Sequence, residues 1–275
     1  MKFLIDVFVK LWFSFIKLLV KIRFPVRTIR RSAMRLINDG YVRIYEYQYV
    51  PKHRDSLKKS KIGAIMEDWY TNNRADILER IQKFCLFKEQ FCKIPFEQDS
   101  SMGIKWNNGY IPPLDGISIY GFLADLNPRY YVEVGSGNTT LFASASIKDN
   151  NLRTKIISID PFPRREIDEL CDTVYRVPLE NMDLEFFECL SNEDVLLIDN
   201  SHRAFQNSDV TVFFTEILPR LPPGIVYAIH DIYLPEDYPD GRPSTAKKWY
   251  NEQYLLCAYL LGGVGSYKVP LHVFK

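Results

Sequence analysis

The sequence lacks the cysteine patterns that stabilise small secreted proteins or bind zinc. It has five cysteines in 275 residues, an odd number, widely spaced and without any Cys-x-x-Cys pair. This usage excludes a disulfide framework and the zinc-ribbon class of site, and it predicts a reducing compartment, the cytoplasm. The five are Cys85, Cys92, Cys171, Cys189 and Cys257.

The N-terminus lacks a long uninterrupted apolar run, although it is rich in large hydrophobic residues. Within residues 1–24, Asp6, Lys10 and Lys17 break the apolar sequence. A charge near the centre of a membrane span costs about 2.5–3.5 kcal/mol, so a simple span is disfavoured. The breaks also leave no continuous core for a cleaved signal peptide. At helical spacing the polar residues share one side, which predicts an amphipathic helix lying in a membrane surface.

Negative charge is almost missing from the same segment. Residues 1–35 contain nine lysines and arginines and a single acidic residue, although the whole chain has a net charge of +1. We therefore predict that residues 1–35 are a basic anchor, contacting the inner face of the cell membrane through residues 1–31. The alternative is that the apolar side packs on a partner subunit or on the protein's own domain. The acidic remainder has no basic stripe, which argues against nucleic acid as a substrate.

The rest of the chain contains neither repeats nor low-complexity segments. Residues 36–112 are predicted to be a mostly helical lead-in or cap region, with a helix from Ala64 to Cys85 and a loop that includes Pro112 and Pro113. Residues 113–275 alternate helix-length segments, the first at 117–126, with short apolar runs rich in β-branched residues. Such alternation predicts the α/β class and a Rossmann-like doubly wound, mostly parallel sheet. The predicted strands are Tyr130–Val134, Lys155–Ile159, Val195–Ile198 and Ile225–Ile229.

A glycine loop follows the first of these strands. Glu133 stands on the strand, and Gly135-Ser136-Gly137-Asn138-Thr139 leads into a predicted helix. The glycines permit a tight turn and close approach of a ligand, and the start of the helix offers free amide donors. The third glycine of most dinucleotide-binding loops is missing. Glu133 and the five loop residues are therefore predicted to bind a cofactor.

A second acidic residue stands where a nucleoside is held in this fold. Asp160 ends the second strand, 23 residues after Gly137, at the position that grips ribose hydroxyls. Glu133, the Gly-x-Gly loop and Asp160 together resemble the motifs of class I S-adenosylmethionine (SAM)-dependent methyltransferases. The resemblance implies SAM as the cofactor. It also implies an antiparallel last strand, which fits the alternating pattern of Tyr267–Phe274.

Two other functions use the same kind of fold. A nicotinamide-dependent, sugar-modifying oxidoreductase is disfavoured, because the chain lacks both the third glycine and any Tyr-x-x-x-Lys pair. A non-catalytic SAM-fold subunit of a membrane glycan-assembly complex stays open. The intact Glu133, Gly-x-Gly and Asp160 favour a working cofactor site over such a subunit.

Polar residues end the next two strands as well. Asp199 and His202 follow one strand, and His230 and Asp231 follow the other. Neighbouring parallel strands end at one edge about 4.8 Å apart, so Asp199 and Asp231 are predicted to share a cation, Mg²⁺ or a similar hard ion. His202 is then the candidate general base. The simpler explanations are that the aspartates cap helices and that the histidine is a structural residue.

This constellation resembles the metal-dependent branch of sugar and natural-product O-methyltransferases. By position, the resemblance makes Asp199 and Asp231 metal ligands and His202 the base, and Asp199 is also counted among the cofactor-binding residues. The branch often has an acidic pair at the second place, where this chain has His230, which we include as a third ligand. The expected reaction is O-methylation of a sugar or other hydroxylated acceptor, small or lipid-linked, at the cytoplasmic membrane surface. Oligomer formation is left open.

A polar, turn-rich loop follows the last of the four predicted strands. Residues 234–243 are predicted to act as a substrate lid. The segment after this loop, with Trp249, Asn251, Glu252 and Gln253, is predicted to be helical.

Overall fold

The computed structural model of the chain describes residues 53–54, 58–97, 103–239 and 249–262. All of these lie in one unit, residues 51–275. The predicted anchor of residues 1–35 and the predicted last strand, Tyr267–Phe274, lie outside the described residues. Within the described ranges, no helix has the length and apolar character that crossing a bilayer requires.

In the described residues, five parallel strands form the central sheet. They are β1 (Tyr130–Val134), β2 (Lys155–Ile159), β3 (Thr173–Tyr175), β4 (Val195–Ile198) and β5 (Val226–Ile229). Their order across the sheet is β3-β2-β1-β4-β5, and every neighbouring pair is parallel. This confirms the predicted α/β, Rossmann-like fold. The direction in which strands are added reverses between β1 and β4, so a crevice opens beyond the carboxyl ends of these two strands.

Seven α-helices are described around and before the sheet. They are α1 (Lys61–Phe84), α2 (Lys88–Lys93), α3 (Pro113–Leu126), α4 (Asn138–Asn150), α5 (Glu185–Glu188), α6 (Asp209–Val212) and α7 (Glu252–Leu261). Helix α6 continues with π winding over Phe213–Ile217 and a 3₁₀ turn over Leu218–Arg220.

Two helix starts differ from the prediction. Helix α3 begins at Pro113 rather than at residue 117, because proline is well suited to the first helical position, where its missing N–H is not needed. Helix α7 begins only at Glu252, so the prediction that Trp249 and Asn251 are helical was wrong. Trp249 has a φ of 56°, in the left-handed region, which a right-handed helix cannot include.

The central strands β1, β2 and β4 are buried on both faces, because apolar side chains pack on both sides of the sheet. In β4, Leu196 and Ile198 belong to one hydrophobic core with Phe187 and Phe213. The alternate residues Val195 and Leu197 belong to a second core with Leu123, Tyr131, Ala143 and Ile156. This alternation follows from the two-residue period of a strand. It explains why the strands appear in the sequence as continuous apolar runs.

The lead-in helix α1 packs on α3. The ring of Phe84 is buried, and a Cβ built on Gly121 would lie 2.2 Å from it, so only glycine lets the two helices approach this closely. Lys83 and Arg80 pair with Asp125 at the end of α3, at 3.4 and 3.9 Å. The helix predicted within the lead-in region is thus confirmed, and it lies against the first helix of the strand-containing region.

Candidate active site

The glycine loop is shaped by its close approach to the neighbouring strand. Gly135 has a φ of 84°, and a Cβ at this position would lie 1.9 Å from the carbonyl oxygen of Asp199. The amide of Asp199 donates to the carbonyl oxygen of Val134 at 2.8 Å, which extends the pairing of β1 and β4 beyond the strands. Any residue other than glycine at position 135 would push these two chain segments apart.

Glu133 lies beneath the loop rather than on its open side. The side chain is fully buried, and its two oxygens accept hydrogen bonds from the hydroxyls of Thr140 and Tyr131. The Thr140 hydroxyl in turn accepts from the amide of Gly137 at 3.0 Å. Burial raises the pKa of Glu133 to about 7, although the hydroxyl hydrogen bonds act in the opposite direction. In this structure Glu133 therefore supports the loop through Thr140.

Asp160 connects the loop to the end of β2. Its carboxylate accepts from the amides of Ser136 and Phe162, both at 2.8 Å. The hydroxyls of Ser136 and Ser158 lie 2.6 Å apart and strengthen the same connection. Each carboxylate oxygen has a second lone pair, so Asp160 can still accept hydrogen bonds from a ligand.

A small crevice of about 20 Å³ opens at the loop. Of the predicted cofactor-binding residues, Ser136, Gly137, Asn138 and Asp199 line it, whereas Thr139 is only 1% exposed. Its other lining residues are Tyr110, Ile111, Arg164 and Arg165.

Sequence reasoning missed the two arginines of this crevice. Arg164 lies over the ring of Tyr110, 5.3 Å from its centroid, and Arg165 approaches the carbonyl oxygen of Gly103 at 3.4 Å. Their proximity to Asp160 along the chain was the one available signal, since a residue that follows the nucleoside-binding carboxylate by a few positions stays near the loop.

Asp199 also belongs to a cluster at the ends of β4 and β5. Its Oδ1 atom lies 3.2 Å from Nε2 of His202 and 3.3 Å from Nδ1 of His230. Asp231 lies slightly farther away, 3.7 Å from the first of these nitrogens and 3.9 Å from the second. The amide of His230 donates to the carbonyl oxygen of Ile198 at 2.8 Å, which keeps the two strand ends together. The structure thus brings together all four polar residues predicted at these strand ends.

Two further carboxylates contact the histidine ring nitrogens that face away from Asp199. Nδ1 of His202 lies 2.9 Å from Glu252 at the start of α7, and Nε2 of His230 lies 3.0 Å from Asp115 in the first turn of α3. Glu252 is fully buried and also accepts from the side-chain amide of Asn200 at 3.1 Å. These partners lie far away in the sequence, so neither could be assigned to the site from local patterns.

The cluster has an excess of negative charge, which the histidines balance by protonation. Burial by itself lowers the pKa of His202, but Asp199 and Glu252 outweigh it and raise that pKa to about 9. The pKa of His230 is also raised well above its usual value, against the effect of burial, by Asp199 and Asp115. Burial opposes ionisation of Asp199, yet the two imidazoles keep its pKa well below the usual range.

Two residues of the cluster have strained backbones. His202 and Asp231 have φ values of 59° and 53°, in the left-handed region that residues with a side chain rarely adopt. Each costs of order 1–3 kcal/mol and persists only where the surroundings determine it. Such strain is concentrated at functional sites, which supports the choice of this edge of the sheet as the active site.

A second cavity, of about 470 Å³, contains none of the predicted site residues. Its lining is mostly apolar and comes from α1, α2, the start of α3 and the segments between them, with Phe84, Phe91 and Trp106 among its residues. Its titratable lining residues are Cys85, Lys88 and Cys92, and it contains no carboxylate or histidine. The chemistry is therefore assigned to the smaller crevice and the cluster beside it.

Comparison with known proteins agrees with this geometry. Residues 132–232, from β1 to just beyond β5, match a family described as "Methyltransferase domain". This segment is therefore similar to methyltransferase domains. An uncharacterized protein of Archaeoglobus fulgidus is 35% identical over 104 residues, which are 34% of this chain and 45% of that protein. The aligned region therefore spans less than half of that relative.

The methyltransferase domain implies SAM as the methyl donor, as the loop and Asp160 predicted. The match covers both edges of the site, since Glu133 and Asp231 lie near its two ends. It gives no acceptor and no metal. The metal-dependent branch, the sugar acceptor and the membrane location therefore stay predictions.

Proposed function

We propose that the chain transfers a methyl group from SAM to a hydroxyl oxygen of a sugar-like or other polyhydroxylated acceptor. The observation that carries this proposal is that Asp199 belongs both to the cofactor crevice and to the histidine–carboxylate cluster. It lines the crevice at the glycine loop and also contacts His202 and His230. The methyl donor and the groups that handle the acceptor's proton would then meet at one residue.

The residues at the crevice suit SAM in three respects. A Cβ on Gly137 would meet nothing within 4 Å, so the loop leaves open space for a ligand against the backbone. Asp160 retains lone pairs for the ribose hydroxyls, and Asn138 lies at the start of α4, where a helix attracts a carboxylate. Bound SAM supplies a methyl group on a sulfonium, and the sulfur keeps the bonding electrons when that group is transferred.

The acceptor hydroxyl loses its proton when its oxygen forms the new bond to carbon. Asp231 is the most exposed of the four groups at the ends of β4 and β5, with 28% of its side chain accessible. His202, predicted to be the base, is 3% exposed and faces carboxylates with both ring nitrogens. We therefore assign proton removal to the Asp231 carboxylate. The assigned role of His202 is to hold Asp199 and Asp231 in position.

The acceptor class is supported by the surface around Asp231. The ring of Tyr250 lies 4.5 Å from that of His202, which puts an aromatic face beside the carboxylates. An acceptor with an apolar ring face and several hydroxyls suits such a surface. Attachment of that acceptor to a lipid would match the membrane contact predicted for residues 1–31, and the reaction would then take place at the cytoplasmic membrane surface.

Transfer of labelled methyl groups tests this proposal. The full chain is incubated with methyl-labelled SAM and either free sugars or a membrane lipid extract, and the product linkage is tested for an alkali-stable ether. Asp231→Asn is expected to reduce turnover at least about 100-fold, as loss of a general base does, without changing SAM affinity. Asp76→Asn, an exposed carboxylate on α1, is the matched control. Wild-type turnover in Asp231→Asn, or label found only on nitrogen, would contradict the proposal.

A further inference from the structure

Two imidazoles and one carboxylate point at a common centre in the cluster. Asp199, His202 and His230 each offer one atom that can bind a metal ion, and these three atoms all lie within 4.8 Å of one another. His202 offers Nε2 and His230 offers Nδ1, and both face the same oxygen of Asp199. An arrangement of two histidines and one carboxylate with an open side is a recurrent metal-binding set in proteins.

The outer ring nitrogens are held as they are in metal-bound histidines. Glu252 holds Nδ1 of His202 at 2.9 Å, and Asp115 holds Nε2 of His230 at 3.0 Å. A carboxylate on one ring nitrogen keeps the proton there, so a cation that displaces the proton from the other nitrogen meets a lone pair already aimed at it. Both carboxylates come from helices, Glu252 from α7 and Asp115 from α3. The orientation of the two rings is therefore built into the fold.

One of the inward nitrogens has no hydrogen bond. Nδ1 of His230 is buried and lies 3.3 Å from Oδ1 of Asp199, but the two atoms are not aligned for a hydrogen bond. A buried polar atom without a partner costs about 1–3 kcal/mol, so its presence calls for an explanation. A cation between this nitrogen, His202 and Asp199 would complete its coordination.

The donor set does not fit Mg²⁺, the ion predicted from the sequence. Mg²⁺ takes oxygen ligands in near-ideal octahedral geometry, whereas two of the three converging atoms here are imidazole nitrogens. Imidazole suits first-row transition ions such as Zn²⁺, Fe²⁺, Co²⁺ and Ni²⁺. The predicted set also changes, because His202 joins Asp199 and His230. Asp231 stands beside the set, 3.7 and 3.9 Å from the two imidazoles.

We infer that Asp199, His202 and His230 bind one divalent transition-metal ion, oriented by Glu252 and Asp115 as outer partners. Metal binding itself does not depend on methyl transfer, whereas its use beside Asp231 rests on the proposed function. Four carboxylates surround the two imidazoles, since Asp199, Glu252, Asp115 and Asp231 all lie within 4 Å of a ring nitrogen. A divalent ion would neutralise much of this charge.

Cobalt titration of the full chain tests the inference. The protein is first stripped with a chelator, and Co²⁺ is then added while its visible d–d absorption is recorded. We expect one equivalent to bind, excess Mg²⁺ to leave the spectrum unchanged, and Zn²⁺ to displace the cobalt. No site-bound cobalt spectrum in the wild-type chain, or displacement by Mg²⁺, would overturn the inference. The histidines would then form only an ion-pair network with the carboxylates.

Variants identify the ligands. His202→Gln and His230→Gln are expected to abolish the cobalt spectrum, and His53→Gln, a histidine beside Tyr238, is expected to retain it. Glu252→Gln should weaken cobalt binding about 10–100-fold, as loss of an outer partner does, and Glu252→Asp should restore part of it. Equal cobalt affinity in His230→Gln and wild type would contradict the assignment, and circular dichroism identifies variants that fail to fold.

A SAM titration of the same samples separates the two proposals. Cobalt binding without SAM binding would support the metal site and contradict the proposed function. SAM binding without cobalt binding would support the cofactor part of the proposed function and contradict the metal site. Neither readout requires knowledge of the acceptor.

Discussion

The carbonyl oxygen of Asp199 lies 1.9 Å from the point where a Cβ on Gly135 would stand. This close contact between Gly135 and Asp199 joins the ends of β1 and β4, where the direction of strand addition reverses. It also places the cofactor loop directly against the residue that begins the histidine–carboxylate cluster. The two halves of the site are thus positioned by one backbone contact.

Gly135→Ala is expected to destabilise the domain by at least about 3 kcal/mol, the sum of a left-handed backbone and a steric clash with backbone atoms. Gly109→Ala is the matched control, because Gly109 also has a positive φ, 77°, but open space at the Cβ position. That control should cost only about 1–2 kcal/mol. Urea unfolding of both variants measures the difference, and equal losses would show that the Asp199 contact is unimportant.

The buried Glu133 makes stability depend on pH. Burial raises its pKa from 4.5 to about 7, so between these values the folded state binds more protons than the unfolded state. The stability contributed by Glu133 must then fall as pH rises through this window. Glu133→Gln does not titrate, so its stability relative to wild type should rise by up to about 3 kcal/mol between pH 4.5 and pH 8. A pH-independent difference in urea unfolding would contradict this, and exposed Glu216→Gln provides the flat reference.

Asp194 is expected to behave in the opposite way. Burial by itself would raise its pKa, but hydrogen bonds from Arg129 and Ser191 keep that pKa below the usual value. Its contribution is therefore complete above the unfolded-state pKa of about 3.9 and is lost as pH falls through the folded-state value. Asp194→Asn should cost about 3 kcal/mol at pH 7, and the difference from wild type should shrink on acidification.

The neighbouring pair of Glu193 and Arg153 is the control for that measurement. Both side chains are more than half exposed, at 58% and 57%. Glu193→Gln should therefore cost less than about 1 kcal/mol at any pH. A loss in Asp194→Asn as small as this would show that burial of the carboxylate does not matter.

The sheet could largely be predicted from the sequence, because its strands are buried on both faces and appear as uninterrupted apolar runs. The strand β3, Thr173–Tyr175, could not. It has three residues at the edge of the sheet, with partly exposed side chains, and lacks the apolar length that identifies the others. The start of α3 was placed too late for a related reason, since Pro113 was taken as a loop residue.

The site could be predicted only where its residues follow a strand. Asp160, Asp199, His202, His230 and Asp231 were found in this way. Glu252 and Asp115 were not identified as site residues, because they reach the histidines from helices 50 and 115 residues away in sequence. The role proposed for His202 differs from the base predicted from the sequence, because its burial and its carboxylate partners are products of the tertiary structure.

Calorimetric titration of SAM, and separately of NAD⁺, into the full chain tests the central claim most directly. We predict SAM binding in the micromolar range and no binding of NAD⁺. Asp160→Ala should weaken SAM binding at least about 10-fold, the effect of losing hydrogen bonds to a charged group, while Asp76→Ala should leave it unchanged. Failure of the wild-type chain to bind SAM, or tighter binding of NAD⁺, would contradict the assignment of the glycine loop and Asp160 to a methyl donor.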